Sequence, residues 1–468
     1  MMIMNCRSMV EFRAKMGIRW RKVSVQGQGG RRPDAVNRRH PMERPRDRDL
    51  QEVFRLIAAS KNGLSKAEIV KKTHLRHLAV TDAVRTLVER GFIDITPHTH
   101  DELTMDDAVS IIQSRFCVIG LRILPSEVLG VVTNLRCEVL PIGVAGEELT
   151  AVKDLPDGGH DVEGVVQAVA ELTQQLVDQI PEGYSVLGTG VELGGHIKSG
   201  TVVYSPNLQW RDVPLRQRLE EVLHRQLNAE QHARFGPRGS QVIIENDANA
   251  LAVVSQWFGA GSERTSFALI LVGDGIGCGL VINNELVRGF GGMAGEIGHL
   301  VIAPENPGLV CRCQKQGCLE AIATIPTILE AIVRAKKANG EDPPATIADA
   351  VKLAEKGDKL AEEAFEVAGD ALARAISYLL NLVNPEALIL ETYEPMVTQR
   401  LVPIVTKRLR RYCFSTVQKD TDIPQNPAAP ERGAKGAAAV MIMELLSQRL
   451  PAEQAGRTRH LADPERGL

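Results

Sequence analysis

From Phe116 to the end, short apolar runs alternate with longer amphipathic ones, and this alternation restricts the fold more than any other feature. Strand-like runs are Phe116–Ile123, Val128–Thr133, Tyr184–Gly188, Gln241–Ile244, Phe267–Val272 and Ala387–Leu390. Helical periodicity appears at Val162–Ile180, Pro214–Leu227 and Leu360–Val383. Strands interleaved with helices predict an α/β body. Residues 116–447 are too many for one pair of layers, so two lobes with a ligand-binding cleft between them are expected.

Ahead of the body the pattern differs. Leu50, Val53, Phe54 and Ile57 recur at helical spacing, Gly63 interrupts, and Ser65-Lys66-Ala67-Glu68 has the form of a capping box. A third helix over Leu78–Arg90 shows Val80, Val84, Leu87 and Val88 on one face; Gly91 ends it and Phe92–Ile95 reads as a strand. Residues 48–100 thus have a winged helix-turn-helix layout. Its third helix would present Arg76, His77, Thr81, Asp82 and Arg85 to base edges. The same helical triplet also serves as a protein-interaction module. Residues 101–115 are acidic and read as a linker, and residues 448–468 as a C-terminal tail. Residues 1–47 hold twelve Lys or Arg against four Asp or Glu. They read as a disordered tail, with Met42 an alternative start, or as a basic arm on phosphates.

Composition excludes several classes. The 468 residues are 44% hydrophobic and 24% charged, which is ordinary for globular chains and rules out a collagenous or wholly disordered one. No apolar stretch reaches membrane-spanning length, and the first twenty residues make a poor signal peptide, with charges scattered through their apolar part. Eight Cys are too few for a disulfide scaffold. A soluble cytoplasmic protein is expected.

Four motifs carry chemistry. His299 with Cys311, Cys313 and Cys318 supplies one imidazole and three thiols, a donor set that suits a closed, structural Zn²⁺ site; free thiols beside a coincidental His are the alternative. An apolar strand ends in Glu245-Asn246-Asp247, placing polar groups at the carboxyl end of a strand, where α/β sheets bind ligands. Asp247 could accept a proton from a sugar hydroxyl, or the segment could be a polar turn and helix cap. Gly273-Asp274-Gly275-Ile276-Gly277 fits either a phosphate-binding turn or a bare hairpin, and Asp274 would repel a phosphate. Finally, Glu296 and His299 stand three apart in GGMAGEIGH.

ENDANA, DGIGCG, AGEIGH and CRCQKQGCLE, in that order, resemble the ROK family of repressors, open reading frames and sugar kinases. YSPNLQW at 204–210, Asn384-Pro385 and Gly433–Ala439 are similar to the family too. The resemblance covers about residues 115–445, and the helical segment ahead of it resembles the family's regulators. It implies an actin-like, ribonuclease H-like pair of lobes over residues 116–447, with a zinc loop near 299–320. It further implies that Asn246, Asp247, Glu296, His299 and Glu320 line a sugar site, with Asp247 at the kinases' base position. By the same likeness His299, Cys311, Cys313 and Cys318 bind Zn²⁺, so His299 would meet both metal and sugar.

Departures from the kinase pattern shape the functional expectation. The kinases' D-x-G-x-T phosphate loop is Arg122-Ile123-Leu124-Pro125-Ser126 here. Their G-T-G turn is Gly273-Asp274-Gly275, and their Gly-Gly pair near the nucleotide is Glu391-Thr392. All three changes disfavour ATP while the sugar-side residues are kept. The resemblance therefore implies a sugar-responsive DNA-binding regulator, a repressor, that binds a sugar or sugar phosphate without phosphorylating it. It would act as a homodimer or dimer of dimers on operator DNA and need no membrane. The rival is an ATP-dependent sugar kinase with a fused DNA-binding domain.

Overall fold

The computed structural model describes residues 45–96, 106–142, 147–235, 240–306, 308–426, 429 and 431–447. Helix Pro45–Ala59 is followed by β1 (Leu64–Ser65), helices Lys66–Thr73 and His77–Glu89, β2 (Ile93–Thr96) and β3 (Ala108–Ile111). The capping box forms: the Ser65 hydroxyl accepts from the Glu68 amide (3.2 Å) and Glu68 Oε2 accepts from the Ser65 amide (2.8 Å). Gly91 takes φ +70°, a left-handed turn that releases the chain from the third helix into β2. That helix starts on Arg76, whose side chain makes no cap bond.

One expectation needs correcting. The linker expected at 101–115 contains β3, which pairs antiparallel with both β2 and β1 and completes a three-stranded sheet. Val109 and Ile111 alternate inward, and Asp106-Asp107 just before them masked so short a strand. Residues 97–100 of the expected winged module, residues 1–44 of the basic segment and the 448–468 tail lie outside the described residues.

The body contains two sheets that repeat one strand order. In the first lobe β4 (Phe116–Ile123) and β5 (Glu127–Thr133) form a hairpin; β6 (Pro141–Ile142) and β7 (Glu147–Glu148) pair separately. β8 (Thr150–Asp154), helix Val162–Gln179, β9 (Ser185–Leu193) and a flap of β10 (His196–Lys198), β11 (Thr201–Ser205) and β12 (Trp210–Val213) follow, then β13 (Val242–Asn246). The sheet order is β13-β9-β4-β5-β8, with β4, β9 and β13 parallel and the rest antiparallel. In the second lobe β14 (Phe267–Val272), β15 (Ile276–Ile282), β16 (Glu285–Leu286) and β17 (Ala387–Thr392) take the order β16-β15-β14-β17. Again the first strand of the meander pairs in parallel with the strand that follows the helical excursion. This doubled arrangement is the two-lobed α/β fold expected.

Between the lobes lie two apolar helices, Asp247–Phe258 and Arg432–Ser447, the latter buried almost throughout. Two glycines let the second one approach the first sheet. A Cβ on Gly120 would lie 2.0 Å from the Ala434 carbonyl oxygen, and one on Gly190 would lie 1.9 Å from that of Ala437. Those contacts explain why β9 runs on through Gly188-Thr189-Gly190, where the sequence suggested an end.

The N-terminal module shares a hydrophobic core with this layer. Phe54 packs against Trp257, ring centroids 5.9 Å apart, and Phe92 against Phe116 at 5.6 Å. Polar contacts surround the seam. Buried Arg55 donates to the Ser262 carbonyl (2.8 Å), Gln51 to the Met443 carbonyl (3.0 Å), and Arg136 to the Ser60 carbonyl (2.6 Å). Among the described residues no helix is long and apolar enough to cross a membrane.

Candidate functional site

β13 delivers its polar end between the lobes, as strands of parallel sheets do. Asn246 caps the following helix by accepting from the Asn249 amide (3.1 Å), while its Nδ2 donates to the Gly195 carbonyl (3.1 Å). Asp247 begins that helix, and its Oδ1 accepts from the Ala248 amide (2.8 Å). Its Oδ2 faces Gly194, close to Asn207 of the YSPNLQW segment. Burial raises the Asp247 carboxyl above its ordinary range; the Ala248 amide and the Arg122 guanidinium pull it back only in part.

The second lobe supplies the rest. Glu296 precedes a single 3₁₀ turn, Ile297–His299, and burial raises its carboxyl against the pull of His299. Glu320 Oε1 accepts from the Ile276 amide (3.0 Å), tying the Gly273–Gly275 turn to the cysteine loop. Glu320 Oε2 lies 3.8 Å from His299 Nδ1. Asn246 and Asp247 thus come from one lobe, and Glu296, His299 and Glu320 from the other. The Gly-rich segment is a hairpin turn between β14 and β15, closed by a hydrogen bond from the Gly273 amide to the Gly275 carbonyl (2.9 Å).

Contacts between the lobes cluster at the same place. The His196 ring nitrogen Nε2 is 2.6 Å from the Gly291 carbonyl, and Arg312 donates to Asn207 Oδ1 at 2.5 Å. Arg312 sits between two of the clustered cysteines, so the cysteine loop reaches across to the first lobe.

His299, Cys311, Cys313 and Cys318 form a cluster able to hold a metal ion, their donor atoms all within 4.8 Å of one another. Cys311 Sγ is 3.6 Å from His299 Nδ1, and Cys313 Sγ is 3.7 Å from Cys318 Sγ. Zn–S bonds of about 2.3 Å in a tetrahedron put sulfurs about 3.8 Å apart, so these separations fit. Burial pushes the Cys311 thiol up to about 12 and raises that of Cys318. A bound cation, which selects the thiolate, offsets that. With Nδ1 turned to the thiols, His299 keeps Nε2 for the other side of its ring.

The five residues expected to read DNA all lie on or next to the His77–Glu89 helix. Arg76, His77, Thr81 and Arg85 are exposed. Asp82 is half-buried and forms an ion pair with Arg85. Leu78 was missed: it is 72% exposed at the start of the helix, an unusual place for a large apolar side chain.

Two charged pairs were missed as well. Glu245 accepts from Arg288 Nε (2.7 Å) and from Asn249 Nδ2 (3.1 Å), bracing the strand end that carries Asn246 and Asp247. Arg122 and Glu192 stand opposite each other on β4 and β9, with Nε 3.1 Å from Oε1. Burial pushes Glu192 up to about 8, with Arg122 pulling the other way and Asp247 adding to the rise. The signal was legible: each is a single charge near the carboxyl end of an otherwise apolar strand.

Comparison with known proteins was consistent with this geometry. Residues 159–444 match the ROK family. A putative xylose repressor of Caldicellulosiruptor sp. (strain Rt8B.4) is 25% identical over 397 residues, covering 82% of this chain and 93% of the relative. A glucokinase of Halalkalibacterium halodurans is 32% identical over 216 residues, 44% of this chain and 61% of that enzyme. Among solved structures, a ROK family transcriptional regulator homologous to the E. coli MLC protein superposes with TM-score 0.67 at 21% identity, covering 86% of this chain and 96% of that one. A ROK family glucokinase from Streptomyces griseus, in complex with glucose and AMPPNP, gives TM-score 0.57 at 24% identity, covering 69% and 98%. At these identities the two structures establish the fold.

Proposed function

This chain belongs to the ROK family, and on that premise we propose that it is a sugar-responsive transcriptional repressor that binds its sugar without phosphorylating it. One observation carries the reading. The helix that begins with Asp247 places Trp257, in its last turn, against Phe54 of the N-terminal module, so one rigid element touches the candidate sugar site and the candidate DNA-binding module. The similarity to a xylose repressor over 93% of that protein's length supports it.

In this reading Asn246, Asp247, Glu296, His299 and Glu320 bind the sugar hydroxyls. His299, Cys311, Cys313 and Cys318 hold a structural Zn²⁺, which fixes His299 and the loop leading to Glu320. Arg76, His77, Thr81, Asp82 and Arg85 meet the major groove, with Asp82 orienting Arg85 and Leu78 packing on a thymine methyl. A homodimer would read an inverted repeat with half-sites about one helical turn apart. Sugar acts by binding one lobe arrangement better than the other; equal affinity for both would shift nothing.

A sugar kinase is the second reading, favoured by Asp247 and by the similarity to glucokinases. Against it stand Arg122, Asp274 and Glu391-Thr392 on the nucleotide side.

Asp247 tests the sugar assignment. Titrating the protein with xylose and glucose by calorimetry, Asp247→Asn is expected to weaken binding about 10- to 100-fold, the loss of one hydrogen bond to a charged acceptor. Because burial raises the Asp247 carboxyl, wild-type affinity should fall with decreasing pH, starting above the point where an ordinary aspartate titrates (about 3.9). Undiminished sugar binding by the variant would remove Asp247 from the site.

A further inference from the structure

Arg122 is committed on every side. Its guanidinium lies over the Tyr393 ring, 3.5 Å from the centroid, and its Nε is 3.1 Å from Glu192 Oε1. A Cβ on Gly433 would sit 2.8 Å from Arg122 Cδ and 2.3 Å from Glu192 Oε1, so the start of the Arg432–Ser447 helix is packed onto the pair. Arg122 is 6% exposed and Glu192 is fully buried. Turning the guanidinium toward a ligand would mean unpacking a helix end and stranding a buried carboxyl, both costly.

The pair lies just behind the sugar site. β9 ends at Leu193, just past Glu192, and at the next residue, Gly194, a Cβ would lie 3.2 Å from Asp247 Oδ2. The other altered nucleotide positions are filled in the same manner. Glu391 pairs with Arg432 (3.1 Å) and accepts from Asn426; the Thr392 hydroxyl donates to the Glu394 carbonyl (2.5 Å). Both Glu192 oxygens lack an aligned hydrogen-bond donor. A phosphate dianion, which brings only acceptors and negative charge, would meet a buried carboxyl and an already committed guanidinium there. Arg312, exposed and already donating to Asn207, belongs to the cysteine loop and not to this end.

We propose that the site takes a sugar whose hydroxyl at the Asp247 end is unesterified, and that the Arg122–Glu192 pair, packed on Tyr393, shuts out phosphate on sugar esters and nucleotides alike. The inference rests on the sugar-responsive reading and narrows its effector to neutral sugars.

Calorimetry on the full chain with glucose, xylose, glucose 6-phosphate and Mg²⁺-ATP tests it. The expected result is saturable binding of at least one neutral sugar, with glucose 6-phosphate at least about 10-fold weaker than glucose and no ATP heat. Glucose 6-phosphate binding as tightly as glucose would overturn this inference and leave the sugar-responsive reading standing. Binding of none of the sugars, esterified or not, would overturn that reading and this inference with it. In Glu192→Gln, compared with wild type above pH 8 where Glu192 is ionised, the guanidinium loses its charged partner, so the preference for glucose over its phosphate should shrink several-fold. A folded Glu192→Gln chain with unchanged preference would remove the pair as the cause. If the variant does not fold, the wild-type comparison decides.

Discussion

Cys313→Ser is expected to purify without its metal. In wild type, elemental analysis should give about one zinc per chain; the variant should retain almost none, because a serine hydroxyl is a poor substitute for a thiolate on Zn²⁺. The consequence is local unfolding followed by loss of function. Among its described residues the loop from Val301 to Leu319 has no helix or strand; isolated bridges such as Val301–Cys318 and Val310–Gln316, turn hydrogen bonds and a few side-chain contacts hold it. Its order therefore rests heavily on the four ligands, and metal-binding free energy becomes folding free energy. Thermal stability should fall by several kcal/mol, and in a chain of 468 residues each kcal/mol lowers Tm by about 1 °C. Sugar affinity should fall as well, since His299 and Glu320 flank the loop and Arg312 within it bridges to Asn207. Cys413→Ser is the control: Cys413 is a free thiol outside the cluster, and its variant should keep the metal. Undiminished zinc in Cys313→Ser would remove the metal assignment.

The second large effect concerns the seam between the two parts of the chain. Phe54→Ala removes a fully buried ring that touches both Trp257 and Phe92, so it should cost about 3–5 kcal/mol of stability. Phe54→Leu separates packing from communication. It keeps an apolar side chain and should leave a folded protein that binds sugar and operator, yet operator affinity should respond to sugar only weakly. Coupling is reciprocal, so DNA should then also alter sugar affinity less than in wild type. Full sugar response in Phe54→Leu would mean that the signal travels by another route, such as the Arg432–Ser447 helix, against which Gln51 and Arg90 are bonded.

Much of this was legible in the residues. The capping box at Ser65 forms as its motif suggested, and the helices expected from Val162 and Leu360 and the strands Phe116–Ile123 and Phe267–Val272 appear within a residue of where the pattern placed them, the helices burying one face and the strands both. The His299 and cysteine cluster formed as the donor set suggested. What stayed hidden depended on contacts distant in sequence. β9 runs through Gly188 and Gly190 where the Arg432–Ser447 helix packs on it, the Met441 side chain at the first and the Ala437 carbonyl at the second, and no local pattern reports that. β3 was hidden by its acidic approach and takes its place by pairing with β1 and β2. Arg122 and Glu192 showed as single charges in apolar strands, but their pairing required knowing that β4 and β9 are neighbours.

Operator affinity with and without sugar tests the central claim most directly. A duplex selected by the protein from a random-sequence pool would be titrated at fixed salt, since such affinities depend steeply on it, with and without saturating xylose or glucose. The account predicts binding to an inverted repeat and at least a 10-fold change in Kd on adding one of these sugars, about 1.4 kcal/mol of coupling. An affinity that stays constant at saturating sugar, or conversion of the sugar to its phosphate when Mg²⁺-ATP is added, would contradict it.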